Sequence, residues 1–261
     1  MSSLLAISVV VLYAVSACTY LAVLIGDKPR LDVVGFGALM GGMALHATSL
    51  VFTAAVSGIA PLLTIGQGIS VLALVIGIGF VVLRGVYRLH SLGSFAVPLM
   101  VLLAAVAALA NPGLSAPTEW RGHILLIHII AAIGGTAAFA LAAFTSLIYL
   151  FQERSLKQKK FGPLFNRLPS IDVLDKANVR LISIGFAVYT VAIGLGAFFA
   201  WDHSSSLKVQ YLFAMVSWVI YGGIIHARVT VGWRGRRAAM LTVLGVVGLG
   251  AVLSAYLAGA G

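Results

Sequence analysis

Apolar residues run along this chain in eight long stretches, near 4–25, 33–56, 62–83, 94–110, 122–151, 181–200, 208–227 and 238–258, with polar intervals between them. A helix needs roughly 20 apolar residues to cross a bilayer core. Inside hydrocarbon every backbone N–H and C=O must be satisfied within its own segment, so stretches of this length are helices. The pattern predicts an all-α polytopic transmembrane bundle of about eight spans. It forms a single integral membrane domain over 1–261, with one long internal loop at 152–180. A mean hydropathy of +1.08 and a charged fraction of 9% leave no polar coat for a soluble domain.

The distribution of charge sets an orientation. The first, third, fifth and seventh loops hold 15 of the 17 Lys and Arg residues, and the even loops hold only Arg121 and Lys208. The positive-inside rule puts the odd loops in the cytoplasm and both termini outside. The net charge of +10 therefore lies at cytoplasmic helix ends, where it meets anionic lipid headgroups. Without a basic stripe interleaved with aromatics it does not describe a nucleic-acid surface. The first span lacks a basic start and exceeds a signal-peptide core, so it is read as a retained span. Cys18, alone, permits no internal disulfide and no CxxC motif, and is read as a small packing residue.

The loops add little chemistry. Loop 152–180 opens on the basic run Arg154, Lys157, Lys159 and Lys160, breaks at Gly162-Pro163, and ends in a short capped helix over 170–176 leading into span six. It serves as a lipid-facing anchor or as a docking loop for a partner. Trp120 and Trp201 mark the outer interface. The glycine pairs Gly41-Gly42, Gly134-Gly135 and Gly222-Gly223 suit close helix approach. No internal repeat is evident on inspection.

The candidate chemistry rests on three histidines at depth. His46 lies roughly 15 Å below the outer end of its span, His128 roughly 9 Å and His226 roughly 27 Å, at 1.5 Å per residue. Ionisable residues inside a span are functional candidates by default, although a neutral imidazole also bridges helices by hydrogen bonds. Imidazole suits zinc, copper and iron. Zinc and copper want converging cysteine, carboxylate or methionine partners, which the spans do not offer. Haem needs only one or two axial ligands and an apolar pocket, which a helical bundle supplies. No nucleophile–base constellation, P-loop or GxGxxG pattern is present, so no enzyme activity is expected.

The segment Trp218-Val-Ile-Tyr221-Gly-Gly-Ile-Ile-His226-Ala-Arg228, followed by Gly232-Trp233-Arg234-Gly235-Arg236-Arg237, resembles the C-terminal part of the cytochrome c assembly membrane proteins of the CcsA/CcmC type. His226 matches the family's transmembrane histidine. The stretch Leu126-Ile127-His128-Ile129 resembles the segment carrying its first external haem-ligand histidine. Spans one and two, with His46, fit a shorter HemX-like and YpjD-like branch. The family's tryptophan-rich segment is reduced here to Trp201-Asp202, and its second external histidine has no counterpart up to Gly261.

The resemblance implies a multi-pass protein of the bacterial cytoplasmic (inner) membrane that handles haem or assists cytochrome c assembly. It implies haem b as cofactor, held through His46, His128 and His226. Partners would be membrane lipids and other cytochrome c assembly proteins, or a soluble tetrapyrrole-pathway protein. Arg228 and Arg121 stand at the level of haem propionates, but read more simply as interfacial anchors. Two other classes stay open: a cofactor-free scaffold or regulator acting through loop 152–180, and a small-solute transporter built on broken helices.

Overall fold

The structure, a computed structural model, describes residues 3–26, 30–58, 61, 64–109, 120–159, 161–202 and 209–258. They form nine α-helices: α1 Ser3–Gly26, α2 Arg30–Ser57, α3 Ile65–Tyr87, α4 Gly93–Leu109, α5 Trp120–Lys157, α6 Pro163–Arg167, α7 Ile171–Asp202, α8 Val209–Thr230 and α9 Arg236–Ala258. Eight of them, all but the five-residue α6, are long and apolar enough to cross a membrane. The protein is an all-α, multi-pass membrane protein.

The helix ends differ from the apolar stretches where charge and helix coincide. α5 runs past the predicted end at 151 to Lys157, carrying the first part of the basic run inside the helix. The short helix expected over 170–176 is the first part of α7, which continues without a break to Asp202. Nothing between Ser170 and Leu181 breaks a helix. The polar residues there end the apolar run, not the backbone hydrogen bonding. α3 starts at Ile65, three residues later than the apolar run, because Thr64 caps it by accepting from the Gln67 N–H at 3.4 Å.

The helices divide into two compact units. The first comprises residues 1–118 and 162–169. In it α1 packs on α2 and α4, α3 packs on α4, and α2 meets α3 less closely. Small residues let the rods close. A Cβ on Gly42 would come within 2.9 Å of the Tyr13 ring, and one on Gly77 within 2.5 Å of the Met100 Cε. With lipid as solvent, such van der Waals fit is the main attraction between helices. At one end, Arg84 grips Asp32 through both nitrogens, at 2.8 and 2.7 Å, over the face of Phe36. The Arg167 guanidinium of α6 donates to the Leu24 carbonyl in the last turn of α1 at 2.8 Å, satisfying an acceptor that the helix leaves open. The segment 162–169 of the long loop is thus part of this unit.

The second unit comprises residues 119–161 and 170–261. Here α5 packs on α7 and α9, α8 packs on α9, and α7 meets α8 less closely. Its core is aromatic: Phe139 and Tyr221 stack with centroids 3.6 Å apart, and Tyr189 meets the Phe139 edge. The Asn178 amide on α7 donates to the Ala142 carbonyl at 2.8 Å and to the Ser146 hydroxyl at 2.7 Å on α5, all buried. Cys18 does not fill the packing role expected of it: it is exposed on the surface of α1.

Candidate functional site

The three histidines receive three different environments. His46, on α2, is 1% exposed. Its Nδ1 lies 3.1 Å from the Tyr13 hydroxyl on α1, and its Nε2 lies 2.7 Å from the Ser70 hydroxyl on α3. A neutral imidazole has one N–H donor and one lone pair, so one hydroxyl accepts and the other donates. Both ring nitrogens are engaged, and three helices of the first unit are joined at one point.

His128, on α5, is half-buried. Its Nδ1 donates to the Ala192 carbonyl on α7 at 2.8 Å. A carbonyl only accepts, so the proton is on Nδ1 and the lone pair on Nε2. Gly196 flanks the ring: a Cβ there would stand 3.0 Å from the His128 Cε1. The Tyr211 hydroxyl of α8 donates to the Gly196 carbonyl at 3.2 Å, fixing that turn of α7 from the other side. A backbone carbonyl bound to one ring nitrogen fixes the tautomer and the ring orientation, as it does for imidazoles that ligate metals. Among the described residues, nothing bonds Nε2.

His226, on α8, is exposed, and its ring has no partner among the described residues. It stands 15 residues beyond Tyr211, roughly 22 Å along the helix, so it shares no iron with His128. His46 belongs to the other unit. His128 and His226 of the second unit do not converge. Among the described residues no group of three His, Cys, Asp or Glu side chains could hold a bare metal ion.

The residues after His226 have a structural account. The N–H of Trp233 folds back on the Ala227 carbonyl at 3.2 Å, beside Val231 at 3.0 Å. Gly232 and Gly235 both take φ of +71°, in the left-handed region that glycine enters without strain. A Cβ on Gly235 would stand 2.8 Å from the Tyr149 hydroxyl. The Gly-Trp-Arg-Gly block is therefore a tight turn between α8 and α9 packed on α5. Arg228 is not a free interfacial anchor: it is paired with Asp175 on α7, the two side chains 15% and 24% exposed. The side chains of Trp120, Arg121, His123 and Trp201, and all of His203, Lys160 and Lys208, lie outside the described residues.

Sequence reasoning found the histidines and missed what holds them. Tyr13, Ser70, Gly196 and Tyr211 act through contacts between residues 15 to 68 positions apart, and no local pattern announces such contacts.

A family model described as Cytochrome C assembly protein matches residues 3–252. Among curated relatives, the cytochrome c biogenesis protein CcsA of Prochlorococcus marinus (strain MIT 9301) is 26% identical over 240 residues, covering 82% of this chain and 77% of that protein. CcsA of Mesostigma viride is 26% identical over 188 residues, covering 61% and 62%. CcsA of Synechococcus sp. (strain JA-2-3B'a(2-13)) is 37% identical over 87 residues, covering 32% of this chain and 25% of the relative. The chain thus spans a quarter to about three fifths of several curated relatives it matches. No solved structure matches it.

Proposed function

The chain belongs to the cytochrome c assembly protein family, and from that premise we propose that it binds haem b within the membrane and serves haem handling for cytochrome c assembly. The observation that carries this reading is the His128 imidazole, its Nδ1 proton committed to the Ala192 carbonyl and its Nε2 lone pair uncommitted among the described residues. Haem supplies the iron and macrocycle, and this chain supplies an oriented axial nitrogen and apolar walls. His226 is a second station near the other end of α8, exposed where a macrocycle has room to approach. His46 joins this set only by giving up Tyr13 or Ser70.

Within the family we place the chain with the short HemX-like and YpjD-like branch, in a bacterial cytoplasmic membrane. Only residues 203–208 separate α7 from α8, too few for a tryptophan-rich segment. We assign no covalent step to the chain itself; its partners would be other assembly proteins or a soluble tetrapyrrole-pathway protein. The test is titration of purified full-length protein with haem b, followed by absorbance. A saturable Soret shift that His128→Ala abolishes is expected. A wild type without one ends the proposal.

A further inference from the structure

The two units repeat one packing plan, and the repeat assigns His46. In each, the first helix packs on the second and fourth, the third packs on the fourth, and the second meets the third less closely. The individual contacts correspond at constant spacing. Tyr13 and Phe139 are 126 residues apart, and so are Thr19 and Thr145 on the same pair of helices, α1 and α5. On α2 and α7 the spacing is 143, relating Asp32 to Asp175, Gly35 to Asn178, Gly42 to Gly185 and His46 to Tyr189. On α3 and α8 it is 144, relating Arg84 to Arg228, Gly77 to Tyr221 and Ser70 to Ala214. On α4 and α9 it is 145, relating Met100 to Gly245. The jump between the first two values reflects the longer α5–α7 connection, which contains segment 162–169; the later connections differ by one residue each.

Equivalent residues make equivalent contacts. Gly42 is notched for Tyr13, and Gly185 for Phe139. Gly35 abuts Thr19, and Asn178 donates to Thr145 at 3.3 Å. Gly77 faces Met100, and Tyr221 faces Gly245, with large and small exchanged. Asp32 pairs with Arg84, and Asp175 with Arg228. Finally the Tyr13 and His46 rings sit 6.0 Å apart, and the Phe139 and Tyr189 rings 5.6 Å apart. Ala214 packs on the cluster containing Phe139 and Tyr189, as Ser70 meets His46.

We infer that the units are two copies of one four-helix module, and that His46 with Tyr13 and Ser70 is the polar version of the ring clamp that Phe139 and Tyr189 form in the second copy, where Ala214 takes the place of Ser70. His46 joins helices and ligates no iron, so histidine ligation of haem belongs to the second unit alone. This last clause rests on the haem-binding reading above. Chemically the two clamps are alternatives: a hydroxyl–imidazole–hydroxyl chain satisfies its own buried polar atoms, and an aromatic pair has few to satisfy.

The experiment uses purified full-length protein in detergent with haem b. The triple variant Tyr13→Phe/His46→Tyr/Ser70→Ala installs the second copy's residues in the first. His46→Gln keeps a donor and an acceptor at the site but removes the imidazole. Expected are wild-type Soret intensity and haem affinity within about twofold for both. His46→Ala, which strands two buried hydroxyls, should melt below His46→Gln. A folded His46→Gln protein that loses the Soret band overturns the assignment. So does a His46→Gln protein melting no higher than His46→Ala, together with a triple variant that does not fold. A wild type without a saturable Soret shift sinks the haem-binding reading instead, while the order of the melting points still decides the clamp.

Discussion

The Nδ1 proton of His128 is held by the carbonyl of Ala192 across the α5–α7 seam, at 2.8 Å. Gly196, one turn further along α7, leaves the ring its place. Gly196→Ala adds a methyl 3.0 Å from Cε1, so the imidazole must shift by a few tenths of an ångström and bend its bond to Ala192. We expect haem affinity to fall about tenfold, equivalent to about 1.4 kcal/mol, with a smaller effect on helix content. Parallel haem titration and thermal melts by circular dichroism check this. Unchanged affinity would show that ring orientation is not limiting.

The turn between α8 and α9 gives a prediction of stability without loss of ligation. Gly235→Ala puts a Cβ on a backbone at φ +71° and 2.8 Å from the Tyr149 hydroxyl. Left-handed backbone costs a non-glycine residue roughly 1–2 kcal/mol, before the clash is counted. The variant should melt several degrees lower, whereas Gly232→Asn, at the same φ with nothing within 4 Å, should lose much less. The Soret band after haem titration should match wild type in both. Equal losses at the two positions would exclude the Tyr149 contact as the cause.

Much of this architecture was legible in the chain, because eight spans follow from length and hydropathy alone. The errors lie where charge lies inside a helix. Asp172, Asp175, Lys176 and Arg180 ended an apolar run but not α7, since backbone hydrogen bonding does not depend on side-chain polarity. The histidines were legible as residue types. Their roles were not: a ring nitrogen's freedom depends on Tyr13, Ser70 and Ala192, each brought near by packing between distant helices. The repeat escaped inspection for a related reason. Packing conserves complementary volumes more than identities, so Gly77 opposite Met100 becomes Tyr221 opposite Gly245, and few pairs such as Asp32 and Asp175 stay the same.

The orientation can be checked with cysteine labelling. In a Cys18→Ser background, a cysteine replacing Lys159 should react with a membrane-impermeant thiol reagent only from the cytoplasmic side, and one replacing Gly58 only from the other. Both positions adjoin helix ends and are exposed. Labelling of both from the same side would break the alternation of loops and the span count with it.

The Asp–Arg pairs supply the last prediction. Asp32→Asn leaves the Arg84 guanidinium, 14% exposed, facing a neutral amide in place of a bidentate carboxylate. Asp175→Asn does the same to Arg228, 15% exposed. Removing one partner of a mostly buried pair costs about 3–5 kcal/mol when nothing else compensates, because the remaining charge stays desolvated. Compensation differs between the two sites. Arg84 keeps the Tyr20 hydroxyl at 3.4 Å and the face of Phe36. At Arg228 the Nη1 atom is buried with no acceptor among the described residues. Asp175→Asn should therefore lower the melting temperature more than Asp32→Asn, although Asp32 makes the better-formed pair. The double substitutions Asp32→Asn/Arg84→Gln and Asp175→Asn/Arg228→Gln should recover part of each loss, since no unpaired charge remains. Thermal melts of the six proteins, wild type and one further single variant, Arg228→Gln, included, would expose the alternative. If the double variants melt no higher than the single ones, the pairs hold their helices by direct attraction, and relief of a stranded charge is not the dominant effect.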